Sequence, residues 1–511
     1  MSWTARRRER RCKGHPQRPS ASVYKNRRTG EDGIIPGPDG PRQGREAPQP
    51  ESERITMPGK EQQRIAPLPP RIIPRDQHNI SRSRIGPNVL KVLYRLKNAG
   101  YKSYLVGGCV RDLLLDKQPK DFDVATDAHP EQIRELFRNC RLIGRRFRLA
   151  HILFGREIVE VSTFRASHDR ARAHEGHSAE GGRIVRDNVY GDIEEDVWRR
   201  DFTVNALFYN IQDFSVVDYV GGMKDIQRRQ LRPLGDPDQR YREDPVRMLR
   251  AVRFAVKLDM EIEPEAARQI RERAPLLEDV PAARLFEEFL KMFLHGHARD
   301  TFRRLRDYRL FGHLFPAAER AMTGPSGETA RTLMTQVLTD TDRRYREDRP
   351  ISPALPLAAL FWHPVQELAE NHCSKGLSRI QAMELAGAAL LSRQIKSLSI
   401  PRLVTATVRD IWEFQARFEE RWIKQRRERL QKHPALRASY DFLALRHEAG
   451  EEVGELVQRW RELAMSAPVA GNRQRMRQDG HRDGRRRGPL GFRRGRGRGG
   501  RRGRGDRDRR E

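Results

Sequence analysis

The sequence predicts an α+β fold in which a mixed-sheet α/β head precedes an all-helical neck and body. Three observations support this prediction. Residues 76–222 alternate short strand-like runs with amphipathic helix patterns, whereas residues 223–466 carry helical patterns almost throughout. Residues 1–75 and 467–511 are rich in Arg and Gly and poor in core residues, so both ends are predicted to be disordered.

The charge of the chain restricts the partners that it is expected to have. Its 511 residues carry a formal net charge of +30, and 37% of them are hydrophobic. This excess of positive charge favours a polyanionic partner, and nucleic acid is a better candidate than an anionic membrane surface. The Arg/Gly-rich tail favours RNA as that nucleic acid. No run is apolar enough to span a bilayer, and no secretory signal follows the basic N-terminus. The four cysteines lack metal-ligand spacing, which indicates free thiols in a cytoplasmic protein.

The head is predicted to contain several short strands and at least three helices. Pro87–Asn98 has apolar residues on one side of a helix, and the run YLVGGCVRDLLL is typical of a strand, a glycine turn and a helix. HILFG and EIVEVSTF are predicted to pair as a hairpin around Gly155 and Arg156. Residues 167–182 are polar and rich in Gly and His, which predicts a mobile loop.

Two adjacent glycines lie at the predicted strand-to-helix junction. Gly107 and Gly108 allow the backbone to approach a ligand closely, and the first turn of the next helix offers free N–H groups to a phosphate. Arg111 could add a cationic fork to the same phosphates. An ordinary tight turn explains this run equally well, so it does not decide the function alone.

Two carboxylates two residues apart follow the glycine turn. Asp121 and Asp123 belong to DFDVAT, a predicted strand in which residues i and i+2 point to the same face. Carboxylates placed in this way repel each other unless a cation lies between them. Glu160, between Val159 and Val161, could complete a two-Mg²⁺ site from an adjacent strand. An exposed acidic strand face is the alternative, and the short spacing after the two glycines favours the metal site.

A second polar cluster lies in the run WRRDFTVNAL. Arg200 suits a triphosphate, while Asp201 and Asn205, four residues apart, could share one face and reach a ribose or the metal shell. A cap or a salt bridge is the alternative role for Asp201.

The predicted neck begins with an acid and a base on one helix face. An aspartate at position 244 accepts from an exocyclic amine, and Arg247 donates to a ring nitrogen. Together they match adenine and cytosine but not guanine or uracil, so the pair predicts ATP or CTP. Asp244 is equally explained as an N-cap before Pro245. Arg250 and Arg253 follow Arg247 at intervals of three residues on the same helix, and they are interpreted as solvating the helix or contacting RNA.

These stretches together resemble the class II nucleotidyltransferases of the polymerase β superfamily, which include bacterial poly(A) polymerases and the enzymes that add CCA to tRNA. The matching runs are LVGGCVRDLLL, DFDVAT, VEVSTFR, RRDFTVNAL and REDPVRMLRAVRF, in the order of the family. The resemblance covers roughly residues 75–470. It implies a nucleotidyltransferase head at 76–222, a neck at 223–290 that recognises the base and RNA, and an RNA-binding body at 291–466.

The resemblance also implies the roles of the residues. Asp121, Asp123 and Glu160 would hold two Mg²⁺ ions, with Asp201 as a further catalytic residue, while the RNA 3′-hydroxyl attacks the α-phosphate of ATP. The residues implied to bind ATP are Gly107, Gly108, Arg111, Arg200, Asn205, Asp244 and Arg247.

One run favours the poly(A) polymerase branch of the family. LIGRRFRLAHI, residues 142–152, is similar to the signature of that branch. The expectation is therefore a cytoplasmic, monomeric enzyme that adds AMP from ATP to the 3′ ends of messenger, regulatory and structured RNA. The resemblance further implies that the tails promote RNA decay, with RNA-degradation machinery as a partner. The alternatives are a CCA-adding tRNA nucleotidyltransferase and a non-enzymatic protein that binds RNA through its Arg/Gly tail.

Overall fold

The computed structural model describes residues 69–144, 148–166, 189–420 and 430–466. These residues belong to one compact unit, Pro67–Glu511. The strands are β1 Arg71–Ile73, β2 Ser103–Val106, β3 Asp123–Thr126, β4 Cys140–Ile143, β5 Leu149–Phe154, β6 Glu157–Thr163, β7 Leu207–Asn210, β8 Val216–Asp218, β9 Gln230–Leu231 and β10 Glu261–Ile262.

Helices account for the remainder of the regular structure and dominate after the head, as predicted. In the head and neck they are α1 Pro87–Asn98, α2 Gly108–Leu114, α3 Pro130–Leu136, α4 Ile193–Trp198, α5 Gly222–Gln227, α6 Pro237–Glu243, α7 Val246–Leu258, α8 Pro264–Arg273 and α9 Ala282–Phe293. In the body they are α10 Ala298–Asp307, α11 Leu310–Leu314, α12 Pro316–Thr323, α13 Gly327–Arg346, α14 Ala354–Leu360, α15 Trp362–Cys373, α16 Arg379–Ser397, α17 Arg402–Glu419, α18 Leu436–Glu448 and α19 Gly454–Met465.

Eight strands of the head form one mixed sheet in the order β1-β8-β7-β2-β3-β6-β5-β4. β3 and β6 run parallel, whereas the other neighbouring pairs of this sheet are antiparallel. The parallel register places Asp123 directly beside Glu160. Neighbours in register point to the same face of a sheet, so the fold brings these two acids together from 37 positions apart in the numbering.

The sheet is covered on both faces. Leu105, Val124 and Val161 point into the larger core, which continues into the neck and body. Val106 and Ala125 point the other way into a smaller cluster that includes residues from β7 and from the segment after β6. Asp123 pairs with Val106 in the β2–β3 ladder, so the acids share the face of this smaller cluster.

Most predicted elements of the head are confirmed. Helix α1 has the predicted bounds, and its predicted apolar side is the buried side. β5 and β6 form the predicted antiparallel hairpin, with Gly155 at φ +64° in its turn. The three cysteines among the described residues are free, as expected. The predicted loop at 167–182 lies outside the described residues.

Three predictions about elements need correction. β3 begins at Asp123, so Asp121 precedes the strand rather than sharing it. Residues 71–73 are not disordered, because they pair with β8 and bury Ile73 against the larger core. β9 and β10 form a short parallel pair within the region that was predicted to be helical. No described helix is long and apolar enough to cross a membrane.

Candidate active site

The glycine turn sits between β2 and α2, as the sequence predicts. Gly107 has φ +78° and ψ −132°, a conformation that side chains with a Cβ rarely adopt, and its N–H donates to the Leu207 carbonyl at 3.3 Å. A Cβ on Gly107 would lie 3.3 Å from Nη1 of Arg200. The turn therefore holds the backbone close to a guanidinium, and glycine at position 107 is what permits this approach.

Arg111, predicted to offer a cationic fork to phosphates, has its guanidinium engaged by protein groups in the structure. It is 3% exposed, its Nε and Nη2 donate to Oδ1 of Asp112 at 2.8 and 2.6 Å, and its Nη1 donates to Oδ1 of Asn205 at 2.5 Å. The same arginine lies with its guanidinium carbon 5.4 Å from the centre of the Phe254 ring. Because these contacts occupy all three nitrogens, Arg111 acts first as a support beneath the glycine turn.

Asp201 and Asn205 share one turn, as predicted, and continue this buried network into the neck. Asn205 Nδ2 donates to Oδ1 of Asp201 at 3.0 Å, and Nε of Arg250 donates to Oδ2 of Asp201 at 3.0 Å. Burial alone would raise the pKa of Asp201, but Arg250, Asn205 and the Phe202 N–H hold that pKa below its ordinary value. The salt-bridge alternative for Asp201 is thus present in the structure.

Arg250 and Arg253 therefore have other roles than the sequence interpretation gave them. Arg250 joins α7 to the head through Asp201, and Nε of Arg253 donates to Oε2 of Glu288 in α9 at 3.1 Å. Both side chains are at most one-third exposed. These two arginines of α7 connect the neck helix to the head and to α9 instead of solvating it.

The predicted acids lie at one edge of the cleft. Asp123 opens β3, Glu160 is beside it on β6, and Asp121 is exposed just ahead of β3. Although the Asp123 side chain keeps an exposed surface, desolvation by the surrounding cleft raises its pKa to about 6, with Glu160 and Asp121 acting in the same direction and Arg200 opposing them. The carboxylates thus repel one another electrostatically.

These three carboxylates provide hard oxygen donors, which suits Mg²⁺. Even so, the described residues contain no group of three or more His, Cys, Asp or Glu side chains already gathered to hold a metal. The donor chemistry and the raised pKa of Asp123 fit a divalent cation, whereas the assignment of Asp121, Asp123 and Glu160 as its ligands stays a prediction.

His151 is a site residue that the sequence interpretation missed. It lies on β5 opposite Glu160, and its Nε2 is 3.2 Å from Oε1 of that acid. Its side chain is buried while Glu160 is about half exposed. The available signal was a histidine in the middle of the apolar run HILFG, directly after the LIGRRFRLA stretch.

Arg200 borders the acids, and Asp196 holds it in place. Its Nη2 donates to Oδ2 of Asp196 at 2.7 Å, and its guanidinium lies 5.1 Å from the Phe208 ring centre. Asp196 also lies near Nε of Arg165, at 3.9 Å. Asp196 was not predicted, although it stands four residues before Arg200 on one helical face.

The predicted base-reading pair lies at the entrance to α7. Helix α7 runs from Val246, Pro245 before it already has helical angles, and Oδ1 of Asp244 accepts from the Val246 N–H at 3.3 Å, so the N-cap alternative for Asp244 is present in the structure. Oδ2 of Asp244 accepts from Nη2 of Arg284 at 2.9 Å. Nη1 of Arg247 donates to Oε2 of Glu243 at 3.1 Å. Each member therefore has a protein partner of its own in this structure.

These elements enclose one cavity of about 510 Å³ between head and neck. Its walls include Gly107, Gly108 and Asp123 on the head side and Asp244 and Arg247 on the neck side. Asp121 and Glu160 are outside its lining. Helix α9 adds residues that the sequence interpretation left unassigned, namely Arg284, Glu287, Glu288 and Lys291. The cavity brings nine of the predicted residues together in one place, with cationic side chains dominating the wall; they are Gly107, Gly108, Arg111, Asp123, Arg200, Asp201, Asn205, Asp244 and Arg247.

The glycine turn gives a prediction with an internal control. Gly107→Ala and Gly100→Ala each put a Cβ at positive φ, +78° and +87°, at an expected cost of about 1–3 kcal/mol in unfolding free energy. At Gly100 the Cβ meets nothing within 4 Å, whereas at Gly107 it presses on Arg200. We expect only Gly107→Ala to raise the KM for ATP, by about tenfold, the equivalent of one lost charged contact. Equal KM values in both variants would contradict a role of this turn in nucleotide binding.

Comparison with known proteins was consistent with this geometry. The family model for the poly(A) polymerase head domain matches residues 103–232, and those for the probable RNA and SrmB-binding site and the arginine-rich C-terminus match residues 259–322 and 375–505. Poly(A) polymerase I of Salmonella typhimurium is 51% identical over 402 residues, which cover 78% of this chain and 86% of that protein. The chain belongs to the poly(A) polymerase I family. The protein of that name from Haemophilus influenzae is 47% identical over 77% of this chain and 88% of its own.

Membership makes the chain a polynucleotide adenylyltransferase that adds poly(A) without a template. It also confirms the predicted assignment to the poly(A) branch and disfavours the non-enzymatic alternative. The CCA-adding enzyme of Lactobacillus helveticus is a more distant relative, 36% identical over 43% of this chain and 53% of its own.

Solved structures agree on the fold. An apo tRNA-processing enzyme matches with a TM-score of 0.50 at 22% identity over 75% of this chain and 93% of its own. A CCA-adding enzyme in complex with ATP also matches with a TM-score of 0.50, at 20% identity over 75% of this chain and 82% of its own. These matches support a nucleotidyltransferase head followed by a mostly helical body.

Proposed function

We propose that the cavity between head and neck binds ATP and that its Asp123 edge is where AMP passes to an RNA 3′-hydroxyl. The observation that carries the proposal is the meeting of three different groups in one cleft. A glycine turn beside a guanidinium suits a triphosphate, an acidic edge suits a divalent cation, and an Asp–Arg pair suits the edge of adenine.

Asp121, Asp123 and Glu160 would hold Mg²⁺ at the acidic edge. When bound, the cation lowers the pKa of the attacking hydroxyl and stabilises the charge on the leaving pyrophosphate. The protein supplies the positions of the acids through the β3–β6 register. His151 holds Glu160 from the neighbouring strand and so limits the directions in which that carboxylate can turn.

The remaining residues would orient the nucleotide. Gly107 and Gly108 allow backbone N–H groups to approach the triphosphate, and Arg200 places a positive charge beside them. Asp244 and Arg247 would read the base once a nucleotide competes with their present partners, Arg284 and Glu243. Arg111, Asn205 and Asp201 lie in the cavity wall, and the hydrogen bonds that link them support the glycine turn.

We extend the proposal to the cellular role that the family implies. The enzyme would act as a monomer in the cytoplasm on messenger, regulatory and structured RNA, and its tails would mark RNA for decay by degradation machinery. The Arg/Gly-rich residues 467–511 would add non-specific affinity for RNA phosphates.

A tailing assay with single nucleotides tests the proposed substrate. The full-length protein is incubated with Mg²⁺, a generic RNA and one of the four nucleoside triphosphates at a time. We expect long tails with ATP and little or no extension with GTP and UTP, because the Asp244–Arg247 pair rejects their base edges. A parallel incubation uses a tRNA lacking its CCA end. Addition of two C residues and then one A to that tRNA, without tailing of the generic RNA, would overturn the proposal in favour of the CCA-adding alternative.

A further inference from the structure

Three exposed lysines converge beside the acidic edge. Lys117 and Lys120 lie in the segment between α2 and β3, and Lys257 lies in the last turn of α7. Nζ of Lys117 donates to the carbonyl oxygen of Lys257 at 3.4 Å. The contact of head and neck therefore gathers three positive charges, here called the lysine cluster, from positions 140 residues apart in the numbering.

An aromatic ring, not a carboxylate, holds Lys120 in place. Its Nζ donates to the Tyr345 hydroxyl at 2.6 Å and lies 5.3 Å from the centre of that ring. Tyr345 of α13 packs over Gly296, where a Cβ would come within 2.5 Å of the ring, so the body fixes the ring. A cation–π contact orients an ammonium group without neutralising it. Lys120 thus keeps its charge available to an anion.

Two carboxylates near the cluster are engaged by other groups. Asp112 accepts from Arg111, and Asp342 accepts from the backbone N–H groups of Ala298 and Arg299 at 2.7 and 3.1 Å. In the described part of the chain, none of the three lysines has an acidic partner within ion-pair distance. The cluster is consequently a group of cations that form no direct ion pair within the described residues.

The charges within this patch oppose one another. Partial desolvation of the Lys257 ammonium lowers its pKa, Asp112 raises it, and the positive charges of Arg111, Arg253 and Lys120 lower it further. Gathering like charges costs free energy that a bound polyanion would recover. The patch is therefore better suited to phosphate groups than to a neutral partner.

The location of the patch identifies which phosphates it meets. Lys120 immediately precedes Asp121, yet none of the three lysines lines the cavity assigned to ATP. We propose that Lys117, Lys120 and Lys257 bind backbone phosphates of the RNA strand next to its 3′ end and so position the attacking hydroxyl. The inference rests on the proposed function, because it takes the acidic edge as the place of AMP transfer.

Direct binding of RNA tests the cluster without relying on activity. The full-length triple variant Lys117→Gln/Lys120→Gln/Lys257→Gln is compared with wild type by fluorescence anisotropy of a labelled oligoadenylate in a salt series without ATP. Each phosphate contact with a single strand contributes about 0.7 to the slope of log K against log salt, so we expect the slope to fall by about 2. We also expect the KM for RNA to rise about tenfold while the KM for ATP stays within about twofold of wild type.

The matched control is the triple variant Lys224→Gln/Lys375→Gln/Lys396→Gln, which removes the same charge from exposed lysines elsewhere. Thermal melting verifies that both variants fold. The proposal is overturned if both triples change the salt slope equally, or if the cluster variant raises the KM for ATP and leaves RNA binding unchanged. Lys120→Arg keeps the charge and should bind RNA nearly as wild type. If wild type binds RNA but transfers no AMP, the proposed function fails, while the anisotropy comparison still decides whether the cluster binds RNA.

Discussion

Asp123→Asn is expected to reduce AMP transfer to RNA by about 10³-fold or more while the protein remains folded. The substitution keeps the shape of the side chain but removes the charge that would hold Mg²⁺ at the acidic edge, and such a cation is worth several kcal/mol to the transition state. Initial rates of tailing with saturating ATP and RNA provide the measurement. Asp121→Asn should have the same direction of effect.

The control for this variant is Asp76→Asn, which neutralises an exposed carboxylate of the head ahead of α1. It should retain wild-type activity. A second readout does not depend on activity: Mg²⁺ should raise the melting temperature of wild type and of Asp76→Asn but not that of Asp123→Asn. Full tailing activity in Asp123→Asn would refute the metal-ligand assignment.

The raised pKa of Asp123 adds a pH dependence to this prediction. Its folded pKa of about 6 exceeds the ordinary 3.8, so the folded metal-free protein holds the proton more strongly than the unfolded chain. The protonated Asp123 carboxyl therefore contributes its full stabilisation of the folded protein below pH 3.8, and this contribution is lost as the pH rises through 6. Because a proton competes with the cation, the Mg²⁺ concentration needed for activity should increase as the pH falls below about 6. That shift should be absent if Asp123 does not bind the metal.

Arg250→Met is expected to lower the free energy of unfolding by about 3 kcal/mol and to weaken ATP binding as well. The substitution leaves Asp201 as a buried carboxylate without its cation, and an uncompensated buried charge is costly. Asp201 in turn orients Asn205, which accepts from Arg111 beneath the glycine turn. Chemical denaturation and the KM for ATP measure the two effects.

A double-mutant cycle with Asp201→Asn isolates the pair. The double variant should lose less than the sum of the two single variants, because neither charge is then left alone. Arg268→Met removes an exposed arginine that pairs with Glu265 on α8, and it should lower the stability far less than Arg250→Met, because water screens an exposed pair. Simple additivity in the cycle would show that the Arg250–Asp201 contact contributes no coupling.

The sign of the pH dependence for this pair is opposite to that for Asp123. The folded pKa of Asp201 is below the ordinary value of 3.8. The ionised Asp201 carboxylate therefore stabilises the folded protein above pH 3.8, and this contribution is lost as the pH falls through the folded pKa. The difference in stability between wild type and Asp201→Asn should therefore shrink in acid. A difference that grows as the pH falls would contradict the assignment.

The sequence predicted the local elements of the head well because their signals are local. The period of Val89, Val92, Leu93 and Leu96 fixes one side of α1, and the same residues are buried in the structure. Two adjacent glycines after an apolar run marked the β2–α2 turn. The prediction for residues 71–73 was wrong because their order comes from pairing with β8, far away in the chain.

For the site, the sequence alone determined which residue types were available and in what order, and this was sufficient to indicate a nucleotidyltransferase. The tertiary structure decided their partners. Arg111, Arg250 and Arg253 were assigned to ligands or solvent, but each is held by a buried carboxylate or amide that lies more than 30 residues away. The physical reason is that a buried guanidinium must be paired, and the nearest suitable partner depends on how helices and strands pack, which local periodicity does not encode.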